Sequence, residues 1–176
     1  MEEKSYKEYL NHITTFIFDI DGVLTDGSVF VTTTGELLRT MNIKDGYALK
    51  TAVDQKFNIC IISGGSNEGV KLRLEGLGIK EIHLGTHNKI THLNEFLKKY
   101  NLKQEHVLYM GDDIPDLHVM KLVGLPCCPQ DAVPEIKAIS KYISHKKGGK
   151  GAVRDVIEQV LKVQGKWQSS FDAKYD

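Results

Sequence analysis

The sequence predicts a three-layer α/β sandwich, with one parallel sheet covered by helices on both faces. Two observations carry this expectation. Short segments that are apolar throughout, among them TTFIFDI (14–20), NICIIS (58–63) and HVLYM (106–110), recur along the chain. Each is followed by a stretch whose apolar residues are spaced for a helix. Strands without polar alternation, separated by helices, are what a parallel sheet buried on both sides requires. The 176 residues suffice for one domain with a substantial core.

Taken in order, residues 4–11 read as a short entry helix. TTFIFDI is β-branched and aromatic and reads as a buried strand. SVFVTT and ELLRTMN flank Thr34-Gly35 and read as a β-hairpin over about 28–41. Residues 45–56 place Tyr47, Ala48 and Val53 at helical spacing. NICIIS reads as a strand, and SNEGVKLRLEGLG as a helix closing at Gly78. EIHLG is a short strand. NKITHLNEFLKKY is an amphipathic helix with Ile90, Leu93 and Leu97 on one side and Lys98 and Lys99 near its end. HVLYMGD, LPCCP and YIS read as strands, with DIPDLHVMKLVG and AVPEIKAIS as the helices between them. GAVRDVIEQVLKVQG closes the domain, expected to span 1–165, as a long helix. The tail 166–176 has no clear period and reads as either disordered or docked on another subunit.

Composition narrows the partners. Lys plus Arg and Asp plus Glu both number 23, so the formal net charge is zero and no global field draws in nucleic acid or an anionic membrane. Three cysteines (Cys60, Cys127, Cys128), two of them adjacent and none in a CxxC spacing, argue against a disulfide framework or a zinc site. The polar N-terminal stretch MEEKSYKEYLNH is unlike a signal peptide, and no apolar run approaches membrane-spanning length. A cytoplasmic chain is expected. His83, His87 and His92 are spaced by four and five residues, which does not hold all three on one helical face. Met41, Met110 and Met120 read as packing residues.

The chemistry is concentrated at strand ends, where a doubly wound sheet opens its ligand crevice. In FIFDIDGVLTDG, Asp19 and Asp21 stand two residues apart at the end of the first strand. Residues i and i+2 of an extended segment point the same way, so both carboxylates can face one site. Gly22 permits a turn just beyond. GDDIPD (111–116) follows another strand, placing Asp112 at its end and Asp113 and Asp116 in the first turn of the next helix. Carboxylates converging on one rim repel one another unless a cation neutralises them, and a small octahedral ion with retained waters, Mg²⁺, suits a phosphate site. Ser63, with Gly64 and Gly65 after it, offers a hydroxyl and backbone N–H groups to phosphate oxygens. Lys89 follows EIHLGT, where a point charge can neutralise a phosphoryl group.

With these residues in this order, the chain resembles the haloacid dehalogenase superfamily of phosphotransferases. DIDGVLTDG matches the first motif (DxDGxxTD), Ser63 the second, Lys89 the third and GDDIPD the fourth, over about residues 14–165. DGVLTDG, IKDGYALK and KKGGKGAVRDV further resemble the small phosphatases acting on 3-deoxy-D-manno-octulosonate 8-phosphate. The resemblance implies a Rossmann-like fold and the following roles. Asp19 would be the nucleophile, forming an aspartyl phosphate. Asp21 would protonate the leaving oxygen and then activate the hydrolytic water. Mg²⁺ would be held by Asp19, the Asp21 carbonyl and Asp112, with Asp113 and Asp116 acting from an outer shell. Ser63, Gly64 and Lys89 would grip the phosphoryl oxygens.

About forty residues separate Asp21 from Ser63, too few for a separate cap domain. Relatives without a cap are similar in forming tetramers, in which hairpins pack together and a neighbouring subunit helps close the site. The GGKG segment (148–151) resembles a tail that reaches an adjacent site, and otherwise reads as a flexible lead-in to the last helix. Lys44, Asp45, Lys147, Gly148 and Gly149 are therefore candidate substrate contacts. Many relatives carry arginine directly after the Ser/Thr-Gly of the second motif, where this chain has Gly65 and then Ser66. Arg73 or Lys44 would then recognise the substrate carboxylate, and a nonulosonate (sialic-acid-like) 9-phosphate stays open beside the octulosonate. Two further readings are a receiver-type phospho-accepting module and a catalytically silent oligomeric regulatory domain of the same fold. The first is disfavoured because its acceptor strand would end in Ser63, and the second because no motif residue is lost.

Overall fold

The computed structural model describes residues 5–167. A capping box at Ser5 and Glu8 starts the short helix α1 (Tyr6–Leu10). It leads to the buried strand β1 (Thr15–Phe18). A two-stranded hairpin, β2 (Phe30–Val31) and β3 (Leu37–Leu38), precedes α2 (Ile43–Asp54). The chain then alternates: β4 (Asn58–Ile62), α3 (Glu68–Gly76), β5 (Glu81–His83), α4 (Lys89–Tyr100), β6 (Val107–Met110), α5 (Leu117–Met120), β7 (Leu125–Cys128), α6 (Pro134–Ile139), β8 (Tyr142–Ile143) and α7 (Ala152–Val163). The strand order β5-β4-β1-β6-β7-β8 is parallel throughout, so the chain winds outward from β1 in both directions. The predicted α/β architecture is the observed one.

Alternate residues of the central strands build two cores. Phe16, Phe18, Ile61, Leu108 and Met110 face α2, α3 and α7. Ile17, Cys60, Ile62, Tyr109 and Cys128 face α4, α5 and α6. Because the side chains of β1 are fully buried on both faces, the functional groups must leave from the strand's end.

Three elements differ from the sequence reading. The hairpin ladder is two residues per strand, with Phe30 72% and Val31 62% exposed, because nothing among the described residues covers it. The helix expected from Asp113 begins instead as a 3₁₀ turn, Ile114–Asp116, and ends at Met120. Pro115 sits in its first turn, and Gly124 beyond it packs so closely that a Cβ there would stand 2.0 Å from the Glu105 carbonyl. The GGKG segment is not a free lead-in to α7. A Cβ on Gly148 would stand 1.9 Å from the Gly22 carbonyl, and the Gly149 N–H donates to the Val23 carbonyl at 2.9 Å. The segment clamps the chain's own Gly22–Asp26 loop. Of the tail at 166–176, Lys166 and Trp167 return to Leu161 through backbone hydrogen bonds, and 168–176 lie outside the described residues.

Asp45 also serves the fold. Helix α7 starts at Gly151, which is left-handed and has no side-chain cap. The buried Asp45 of α2 supplies the cap from 109 positions away, accepting the Arg154 N–H at 2.8 Å through Oδ1, while Oδ2 has no partner. Burial pushes its pKa up to about 6, against the pull of the Arg154 and Gly151 N–H groups. A raised folded-state pKa favours the protonated form, so this contribution to stability is full below pH ~4 and is lost as pH rises through about 6. Asp45→Asn cannot titrate. Its stability relative to the parent is expected to improve by about 2 kcal/mol between pH 4.5 and 7.5, read by urea unfolding at both. A difference independent of pH would show that the Asp45 carboxyl does not carry the shift.

Candidate active site

The ends of β1, β4 and β6, together with the start of α4, meet at one rim. The Asp19 N–H continues the ladder by donating to the Met110 carbonyl at 3.1 Å, which fixes Asp19 beside the β6 end. Asp19 is buried, at 8% exposure. Its Oδ1 accepts the Ile20 N–H at 2.7 Å and its Oδ2 lies 2.9 Å from Lys89 Nζ. Lys89, the first residue of α4 and itself 6% exposed, reaches Asp116 Oδ1 at 2.7 Å on its other side. A buried lysine is tolerable here because two carboxylates flank it. Burial alone would depress its pKa, but Asp116 and Asp19 hold it above the ordinary lysine value.

Asp116 has no exposed surface, and both its oxygens accept hydrogen bonds. Oδ1 also accepts the Tyr109 hydroxyl at 2.7 Å, and Oδ2 accepts the Asp112 N–H at 3.2 Å. It therefore fixes Lys89 and the Asp112 backbone rather than presenting a free oxygen. Gly111 makes this possible, since a Cβ there would stand 2.4 Å from the Asp116 carboxyl carbon. Asp113 faces solvent and caps the 3₁₀ turn through the Ile114 N–H at 2.7 Å.

Asp19, Asp112 and Asp116 bring carboxylate oxygens within 4.8 Å of one another. Burial and then the neighbouring Asp19, Asp116 and Asp113 push the Asp112 pKa up to about 8. Burial and Asp116 push that of Asp19 to about 6, against the pull of Lys89. Among the described residues no hydrogen-bond donor reaches the Asp112 carboxylate. Two mutually repelling carboxylates with unfilled oxygen valence and a single lysine fit a hard divalent cation.

Gly22 makes room for that corner. It adopts φ +84°, and a Cβ would lie 1.9 Å from Asp112 Oδ2. Gly22→Ala is expected to cost about 1–3 kcal/mol of stability from the left-handed backbone alone. It should also weaken Mg²⁺ binding at least about tenfold, as Asp112 is displaced. Thermal melts and a calorimetric Mg²⁺ titration check both effects, and an unchanged Mg²⁺ affinity would separate Asp112 from any cation site.

Ser63 lies at the β4 end, 1% exposed, with its N–H donating to the His83 carbonyl at 2.9 Å and its Oγ accepting the Gly65 N–H at 3.4 Å. Gly64 is exposed beside it. The Thr86 N–H donates to the Ser63 carbonyl at 3.1 Å, so the Ser63 loop and the approach to Lys89 are held together. Asp21 turns outward from β1, half-buried.

The candidate substrate contacts are scattered over the chain. Lys44 is exposed and lines a separate cleft with Lys150 and Arg154. Arg73 folds its guanidinium against Gly46 of α2, with Nη2 2.8 Å from where a Cβ would stand. Lys147 is exposed, while Gly148, Gly149 and Asp45 have the packing roles given above. Sequence reading missed Arg39, which follows β3 and places Nε 2.7 Å from Asp21 Oδ1 and Nη2 3.0 Å from Oδ2. The only signal was a lone arginine ending an otherwise apolar hairpin strand in a chain whose acidic rim needs cations.

A parallel sheet whose central strand ends in a buried carboxylate, a lysine salt-bridged to it and a neighbouring cluster of three carboxylates able to hold a cation is the arrangement of a hydrolase of the haloacid dehalogenase type. The sequence profile of the haloacid dehalogenase-like hydrolases matches residues 75–157. The chain is 37% identical over 155 residues to the 3-deoxy-D-manno-octulosonate 8-phosphate phosphatase KdsC of Salmonella typhi, covering 88% of this chain and 82% of that one. The crystal structure of the phosphatase of that name from Yersinia pestis superposes with a TM-score of 0.90 at 32% identity, over 93% of this chain and 88% of the other. That from Moraxella catarrhalis, a complex with magnesium, phosphate and KDO, gives 0.87 at 34%, over 91% and 92%. The chain belongs to the haloacid dehalogenase-like hydrolases, and these relatives are phosphoric monoester hydrolases. No helix among the described residues is long and apolar enough to cross a membrane.

Proposed function

We propose that this chain is a Mg²⁺-dependent phosphatase that hydrolyses 3-deoxy-D-manno-octulosonate 8-phosphate to the free sugar acid and phosphate. The observation that carries the reading is the buried Asp19 carboxylate, held by Lys89 at 2.9 Å beside Asp112 and Asp116. The KDO-bound relative at 34% identity supports the sugar. Asp19 attacks phosphorus in line, its Oδ–P bond forming as the bond to the sugar oxygen breaks. Asp21 delivers a proton to that oxygen, and then takes one from the water that cleaves the aspartyl phosphate. Lys89, the Ser63 hydroxyl and the Gly64 and Gly65 N–H groups bind the three peripheral oxygens. Asp116 and Tyr109 keep Lys89 in place. Asp19, the Asp21 carbonyl and Asp112 would hold Mg²⁺, which supplies charge neutralisation between carboxylate and phosphate, with Asp116 and Asp113 behind them.

The exposed apolar hairpin (Val29, Phe30, Val31, Leu37 and Leu38) supports a homotetramer in which hairpins pack together and a neighbouring subunit completes the leaving-group pocket. In such an assembly Lys44, Arg73 and Lys147 of one protomer would serve another's site. A nonulosonate 9-phosphate is the second reading, favoured by Gly65, which places no side chain at the rim beside Asp21. Phosphate release from octulosonate, nonulosonate and common hexose phosphates, with and without Mg²⁺, tests both. The octulosonate ester is expected to show the highest kcat/KM and to lose turnover in chelator. Preference for a hexose phosphate, or full turnover without a divalent ion, would overturn the assignment.

A further inference from the structure

We infer that Arg39 is the positioning residue for Asp21, the group that moves protons in the reaction. The inference rests on the phosphatase reading above and adds a residue to it. Among the described residues, Arg39 is the sole hydrogen-bond partner of the Asp21 carboxylate, which it meets with a two-pronged fork at 2.7 and 3.0 Å. This is not a floppy surface pair. The arginine side chain is 7% exposed and the aspartate side chain 36%, so a buried cation grips a carboxylate that opens toward the rim.

The guanidinium is itself fixed. Nη1 donates to the Leu37 carbonyl at 3.0 Å, and the same carbonyl accepts the Asn67 side-chain amide at 3.0 Å. Asn67 in turn caps α3 through the Val70 N–H at 2.9 Å. The base of the hairpin is thereby tied to the helix that follows Ser63, and Arg39 carries that alignment to Asp21. Gly65 leaves the corridor open, since a Cβ would stand 2.8 Å from Asp21 Oδ2 and 3.2 Å from Arg39 Nη2.

Asp21 has no donor from its own loop to set the plane of its carboxyl group. Without Arg39 it is a half-exposed side chain free to rotate. With Arg39, both oxygens are held in one plane that opens toward the rim. As the bridging P–O bond breaks, Asp21 passes its proton to the sugar oxygen in the orientation that the fork sets. The same plane then faces the water attacking the aspartyl phosphate.

The test uses leaving groups that differ in their need for a proton. In Arg39→Met, single-turnover release of the alcohol from the sugar-acid phosphate is expected to fall on the order of 10²-fold or more. p-Nitrophenolate leaves without protonation, so the first equivalent released per site from p-nitrophenyl phosphate should stay within about threefold of the parent. Later turnovers then slow, because Asp21 also serves as base. Arg39→Lys should recover part of the alkyl-phosphate rate. Equal first-turnover losses on both leaving groups, or no loss on either, would overturn the inference. A parent enzyme that spares sugar-acid phosphates but cleaves another alkyl phosphate sinks only the substrate assignment, and the Arg39 comparison is then read on that phosphate.

Discussion

Asp19→Asn is expected to lose turnover by a factor on the order of 10⁴–10⁶ while remaining folded, because an amide cannot displace the sugar oxygen from phosphorus. The geometry predicts a second effect with the opposite sign. Asp19 is pushed up to about 6 by burial and by Asp116, so above that pH its charge is held at a cost that Lys89 and the Ile20 N–H offset only in part. Removing the charge leaves Lys89 paired with Asp116 at 2.7 Å. The asparagine has one acceptor oxygen, so it keeps either the Ile20 N–H or Lys89. The hydrogen bond lost, about 1 kcal/mol, is smaller than the burial cost removed. In chelator at pH 7.5 the variant should therefore melt at or above the parent's temperature. Loss of activity together with a large fall in melting temperature would instead mean that Asp19 organises the fold. Retained turnover would remove it as the nucleophile.

What the sequence makes legible follows from where the information lies. Asp19, Ser63 and Asp112 could be found because each follows an apolar run, or stands one residue beyond it, and the end of a strand in a parallel sheet is a position that a linear pattern defines. The division of labour among the acids could not be read that way. Asp116 is an anchor because Tyr109 and Lys89 converge on it, and both come from other elements. Arg39 reaches Asp21 only once the hairpin folds back over 18 residues. Asp45 and the two glycines at 148 and 149 stand out because they lie in segments resembling a phosphatase motif, and the structure adds packing roles that the motif does not reveal. Their roles depend on tertiary closeness: a helix cap supplied across 109 positions, and a backbone approach to Gly22 that no side chain would permit. Composition suggested a flexible glycine stretch, whereas packing made it the clamp on the Gly22–Asp26 loop.

Lys89→Met is expected to damage activity and stability together, and the two can be separated. The ammonium lies between Asp19 Oδ2 at 2.9 Å and Asp116 Oδ1 at 2.7 Å, in a place where Asp116 has no exposed surface. Its removal leaves two buried carboxylates facing each other, and breaking a buried pair by deleting one partner typically costs about 3–5 kcal/mol. Adding Asp116→Asn removes half of that repulsion, while the Tyr109 hydroxyl still finds an oxygen at residue 116. The double variant should therefore be more stable than Lys89→Met alone, and a cycle of urea unfolding curves should return a coupling of about 1–3 kcal/mol. Activity should not follow. Both variants lack the charge that lets a carboxylate approach a phosphate dianion, so kcat/KM is expected to stay down by about 10³-fold or more. Lys89→Arg should recover stability only in part, because a planar fork cannot place one compact charge between two oxygens set for an ammonium. If the double variant regained activity with stability, Lys89 would be a structural counter-ion, and the phosphoryl oxygens would have to find their cation elsewhere on the rim.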